Sequence, residues 1–142
     1  MDDKIDHIRV KVKVENTDPT LSSDKLKATV FVFADSIVSP DKRVLLGRGS
    51  FDCNLAPRTE TSFTTEEFNC GYDTTGARWG YRYSGWVLEI KDSKGQTVFT
   101  KVSAHSFSKA LPKLASLQDN GIYDSSFDLK STAGSLLQRH HN

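Results

Sequence analysis

Tyr81–Val102 reads YRYSGWVLEIKDSKGQTVFTKV, two β-patterned runs joined by Asp92-Ser93-Lys94-Gly95. An aspartate at the first turn position can accept a hydrogen bond from the backbone two residues on. A glycine at the fourth can take the left-handed conformation of a type I turn with a G1 bulge. In the first run Trp86, Leu88 and Ile90 share one face, and Tyr81, Tyr83 and Val87 the other. A strand with large apolar groups on both faces is covered on both sides, at least in part. The hairpin is therefore expected at the centre of the core, with Trp86, Leu88 and Ile90 buried and Glu89 exposed.

Upstream, residues 5–14 alternate cleanly. Ile8, Val10, Val12 and Val14 face one way, and Arg9, Lys11 and Lys13 the other. That row of cations suits an exposed sheet edge, where charge discourages pairing with other chains. Lys25–Asp35 opposes Val30 and Val32 to Phe31 and Phe33, so it too is expected to be buried on both faces. Val44–Leu55 is a third strand, interrupted by Gly47 and Gly49, which point to a bulge or bend. A fourth runs from Ser62 to Tyr72, and the loop Asp73–Gly80 follows.

Beyond the hairpin, Phe107, Leu111 and Leu114 recur at helical spacing. Pro112 forbids a long regular helix, so one short helix or 3₁₀ turn is expected near residues 106–117. Asp119-Asn120-Gly121 is a turn, and Ile122–Leu129 a last strand. About seven strands with almost no helix give an all-β, antiparallel β-sandwich of immunoglobulin/fibronectin-III-like type. One domain is expected over residues 1–130, with a frayed tail over 131–142. Leu55-Ala56-Pro57-Arg58-Thr59-Glu60 resembles the Leu-x-Pro-x-Thr turn of fibronectin type III domains. The resemblance covers these six residues, the rest of the chain departs from it, and no residue role is carried across.

Composition excludes several functions. The 142 residues carry 19 basic and 18 acidic side chains. Such near-cancellation argues against a nucleic-acid partner held through phosphates and against a polybasic membrane anchor. No apolar run approaches the ~20 residues that cross a bilayer, so no membrane insertion is expected. Met1 is followed at once by Asp2, Asp3 and Lys4, which is not a signal-peptide pattern. The sequence fits a cytoplasmic chain, or an extracytoplasmic one that has lost its leader. It leaves the oligomeric state open.

Cys53 and Cys70 are the sharpest local signal. If the third and fourth strands form a hairpin with the cysteines opposite, Phe51 faces Tyr72 and Leu55 faces Phe68, all on one apolar face. Cross-strand Cα separations of ~4.5–5.5 Å fall within disulfide range. The alternative is two buried free thiols. His7, His105, His140 and His141 have no partners at metal-ligand spacing. Asp124, Ser125, Ser126 and Asp128 offer oxygens of the type calcium takes, but EF-hand spacing is absent, and neither metal nor cofactor is expected. No nucleophile elbow or phosphate loop is present.

One surface patch remains. Trp79, Tyr81 and Tyr83, interleaved with Arg78 and Arg82, concentrate aromatic and cationic groups near a loop end, where patches for sugars or protein partners are built. Gly76 and Gly80 flank Arg78-Trp79, so Trp79 is expected to be exposed at a loop tip. The chain is thus read as non-catalytic, a binding or structural module for a protein or glycan partner. The alternative is a small hydrolase using surface carboxylates.

Overall fold

The computed structural model describes residues 4–17, 23–75 and 78–132. Ten strands are described: β1 (Lys4–Ile8), β2 (Lys11–Glu15), β3 (Ser23–Ser36), β4 (Arg43–Leu55), β5 (Glu60–Thr64), β6 (Phe68–Asp73), β7 (Trp79–Lys91), β8 (Thr97–Val102), β9 (Gly121–Tyr123) and β10 (Leu129–Thr132). One 3₁₀ helix, His105–Ser116, lies between β8 and β9. The fold is all-β and antiparallel, a large sheet and a small one. Its strand count exceeds the expected seven, because two expected strands are each divided and the last is a short hairpin.

The centre is β3 rather than the hairpin strand β7. β3 pairs with β4 on one side and β7 on the other. The large sheet runs β1-β6-β7-β3-β4-β9-β10, with β8 beside β7; β2 and β5 form the small sheet. The faces of β3 explain its position. Ala28, Val30, Val32 and Ala34 look into a core roofed by Ile8, Val10 and Val12. Phe31 and Phe33 look the other way, into a core closed by Phe107, Leu114 and Phe127. A strand apolar on both faces is stable only between two covers, and β3 has both.

The cationic strand 5–14 keeps its predicted faces but breaks at Arg9-Val10. β1 pairs with β6 and β2 with β5, in registers one residue apart. Thr65 sits at the offset: its amide donates to Val10 O at 3.0 Å, and its hydroxyl accepts the Val10 amide at 2.9 Å. The expected strand Ser62–Tyr72 divides into β5 and β6 at the same place.

The β7–β8 turn forms as its sequence dictates. Asp92 Oδ1 accepts from the amides of Lys94 (2.9 Å) and Gln96 (3.0 Å), and Gly95 has φ +79. Within β7, Leu88 and Ile90 are buried as expected, while Trp86 is half-buried, packed against the same core. Glu89 reverses expectation: it is buried. It lies between Thr29 and Thr100 on neighbouring strands, where its carboxylate accepts from Thr97 Oγ1 at 2.8 Å with Lys91 Nζ at 3.8 Å. Tyr81 also changes face. Phe33 stands opposite Gly85 but Ala34 opposite Tyr83, so Ser84 is an extra, bulged residue. The bulge inverts parity, and Tyr81 packs with the Trp86 face instead of the Val87 face. Ser84 Oγ is buried there without a hydrogen-bond partner among the described residues.

The cysteines are not hairpin neighbours. Cys53 on β4 stands opposite Leu26 of β3, and Cys70 on β6 opposite Asp6 of β1. Between them the chain leaves the large sheet as β5 and returns as β6, so β4 and β6 share no ladder. Both are free buried thiols.

The helix forms over 105–116 despite Pro112, burying Phe107, Ala110 and Leu114. It is pinned by Arg43, whose guanidinium lies 4.1 Å over the Phe107 ring, donates to Asp35 Oδ1 at 2.9 Å and reaches Ser106 Oγ at 3.0 Å. The Asp119-Asn120-Gly121 turn is present, with Asn120 at φ +64. Of the expected tail over 131–142, Ser131 and Thr132 close β10, and residues 133–142, with His140 and His141, lie outside the described residues.

Candidate binding site

Two regions compete as a binding surface. The first is the aromatic end. Trp79 is not a loop tip: it opens β7, its backbone paired opposite Asp73, and its side chain is half-buried. Gly80 serves this geometry. It has φ +88, and a Cβ there would strike Gly71 O, so the β6–β7 strands meet only because the side chain is absent. Gly76 lies outside the described residues. Tyr81 is half-buried and Tyr83 exposed. Burial pushes both phenols above the usual tyrosine range. The Tyr83 amide donates to Asp6 Oδ2 at 2.9 Å, tying β7 to β1.

Arg78 donates to Ile37 O at 3.2 Å, and Arg82 lies 5.4 Å over the Tyr72 ring. The sequence-predicted residues are thus brought to one end of the sheet, but the backbone alternation separates them. Arg82 shares a register row with Asp35 and Arg43, while Tyr81 and Tyr83 stand one residue to either side of it.

The second region was not marked in the sequence. On the strand-covered face, the upper layer ends before it reaches β8. A cavity of about 280 Å³ opens there, lined by Val14 of β2, Leu26 of β3, Leu55 of β4, Leu88 and Ile90 of β7 and Phe99 of β8. Lys13, Glu15 and Lys101 stand around it. Phe99 is opposite Ile90 and Lys101 opposite Leu88, so both β8 side chains point to the cavity side. Val98 is the extra residue of a second bulge, and both Val98 and Phe99 are about half exposed, at 55% and 50%. The two are sequence neighbours at a sheet edge beside an apolar cavity, and contiguous exposed apolar surface of that kind is where interaction sites are built. The sequence held one clue. Lys101 shares the face of Phe99, so β8 carries a cation on the side that would otherwise be core.

The carboxylates weighed for catalysis or calcium have structural work. Asp124 Oδ1 accepts from the amides of Ser126 (2.9 Å) and Asp128 (3.0 Å), and its pKa is held below the usual range, first by the Asp128 amide. Asp128 is bound by Lys113 Nζ, which also donates to Ser126 O at 2.7 Å. No group of three potential metal ligands is assembled among the described residues. Asp52 and Asp92 line one polar depression with Lys25 and Lys27, but Asp92 is the acceptor of the β7–β8 turn. Among the described residues no helix is long and apolar enough to cross a membrane.

No family model matches the chain, and neither a curated protein nor a solved structure resembles it significantly.

Proposed function

We propose that this chain is a non-catalytic β-sandwich module that binds a protein partner through the open side between β2 and β8. The immunoglobulin-like description belongs to the same proposal, in the sense that two antiparallel layers enclose an aliphatic core. The observation that carries the reading is the apolar cavity bordered by two strand edges, with Val98 and Phe99 exposed beside it. A partner that covers these groups gains the apolar burial the upper layer leaves undone, at roughly 25 cal/mol per Å². A glycan partner would need planar ring faces presented together, and at the aromatic end Tyr83 is exposed while Trp79 is half-buried.

A photo-crosslinker at position 99, introduced into the chain in its native cells, tests this reading. One discrete protein adduct, identified by mass spectrometry and absent when the crosslinker sits at Ser50, is the expected result. The hydrolase alternative predicts turnover of ester or glycoside substrates by the purified chain; such turnover, without an adduct, overturns the binding reading.

A further inference from the structure

We infer that a second cavity, between the Pro40-Asp41 turn and the first turn of the helix, binds a small phosphorylated sugar. It shares no lining residue with the open side between β2 and β8, so it goes beyond the protein-binding reading and is tested separately from it.

The cavity holds about 360 Å³, within the ~300–1,000 Å³ of small-molecule sites. Three segments distant in the chain meet around it. Asp41 and Arg43 come from the approach to β4, Ser106, Ser108 and Lys109 from the helix, and Ser125 from the turn between β9 and β10; His105 stands beside them. Arg43 is the fixed part. Its guanidinium sits 4.1 Å over the Phe107 ring, and it donates from Nε to Asp35 Oδ1, from Nη2 to Ser106 Oγ and from Nη1 to Ser106 O. A guanidinium has five N–H groups, so one on each terminal nitrogen is left to donate. Ser106 Oγ accepts from Arg43 and therefore keeps its own hydroxyl hydrogen for a further acceptor.

The other polar groups are uncommitted. Lys109 and Asp41 both border the cavity, yet the side chain of neither makes an ion pair or hydrogen bond among the described residues. The hydroxyls of Ser108 and Ser125 are equally free among those residues. An ammonium and a carboxylate left unpaired across one cavity suit a ligand that presents an acceptor to the first and a donor to the second.

The balance of groups selects that ligand. Arg43, Lys109 and three serine hydroxyls stand against one carboxylate, and a phosphate monoester offers three strong acceptor oxygens to such a set. A bare phosphate would leave Asp41 facing an anion. An amino group would satisfy Asp41 but accept nothing from the serines. A sugar hydroxyl does both, donating to the carboxylate and accepting from a serine O–H. A nucleotide would find no open ring to stack its base on, because Arg43 covers Phe107 and Phe127 is buried.

The test is a chemical-shift titration of the full chain in phosphate-free buffer, with glucose 6-phosphate, glucose and inorganic phosphate as probes. Glucose 6-phosphate should bind about tenfold or more tightly than either of the others, shifting the amides of Ser106, Ser108, Lys109 and Ser125. Arg43 pins the helix, so the variants are made at the two exposed charges. Lys109→Ala should weaken glucose 6-phosphate and inorganic phosphate alike, by about tenfold. Asp41→Ala should narrow the gap between the two to about threefold, because only the sugar uses that carboxylate.

Equal binding of glucose 6-phosphate and inorganic phosphate, binding of neither, or binding that Lys109→Ala leaves unchanged overturns the proposal. None of these results touches the position-99 crosslink, because Phe99 lines the other cavity.

Discussion

The two faces of the β7–β3–β4 sheet are closed by different means, and only one closure is complete. On the helix side, Phe33, Phe107 and Phe127 are almost fully buried, with ring centroids 5.4 to 6.2 Å apart. A single helix lies across the aromatic cluster, and Arg43 fixes it from the sheet. On the strand side, the cover is a layer whose reach is set by its ladders. It buries Val30 and Val32 fully, then stops, leaving Phe99 half exposed. A helix covers whatever lies beneath its side chains, whereas a strand layer ends abruptly at its last edge.

If that contrast is right, the helix side is the costlier place to cut. Phe107→Ala should destabilise by about 3–5 kcal/mol in urea, as large aromatic deletions in closed cores do. A loss near 1 kcal/mol would mean the helix does not close that face, and the two faces would no longer differ.

Filling the helix side should cost somewhat less. A Cβ at Gly85 would run into Ser103 Oγ and the Phe107 ring. Gly85→Ala is expected to cost about 1–3 kcal/mol through overpacking, with loss of the near-ultraviolet signal of the aromatic cluster. Unchanged denaturation would show that the helix yields freely.

The strand side carries an alkaline liability. Burial, reinforced by the Asp6 carboxylate, pushes the Cys70 thiol up to about 12 from an ordinary value near 9.0. A folded pKa raised above the unfolded one contributes stability below the unfolded value and loses it as pH rises towards the folded value. Stability should therefore hold to about pH 9 and fall between there and pH 12, and less so in Cys70→Ala. Equal falls in the two proteins would place the sensitivity elsewhere.

The smallest effect belongs to the open side. Phe99→Ser should change stability by no more than about 0.5–1 kcal/mol, since surface substitutions outside a packed site rarely do more. A loss of core size would mean that the cavity is closed by groups packing on Phe99.

What was legible in the sequence was local. Asp92 and Gly95 specified their turn through one carboxylate and one left-handed residue, and both do so in the structure. The opposed Val30-Val32 and Phe31-Phe33 faces announced a strand covered twice. Pro112 and the spacing of Phe107 and Leu114 announced a short helical cover. Register and layer exchange were not legible, because they depend on partners distant in the chain. One bulged serine moved Tyr81 to the other face, and the passage through β5 separated Cys53 from Cys70. Glu89 was misread for the same reason: its environment is made by Thr97, which the pattern of its own strand does not contain. The open side was missed because it is defined by where the upper layer stops, and no residue encodes an ending of that kind except Lys101 beside Phe99.

Amide hydrogen exchange along β8, at concentrations where the chain is monomeric, tests the open side most directly. The expected pattern is alternating: Phe99 and Lys101 protected by their bonds to β7, Thr100 and Val102 exchanging close to the rate of unstructured amides. Equal protection of all four would mean that the β8 edge is already covered in the free chain, and that the strand-side closure is as complete as the helix side.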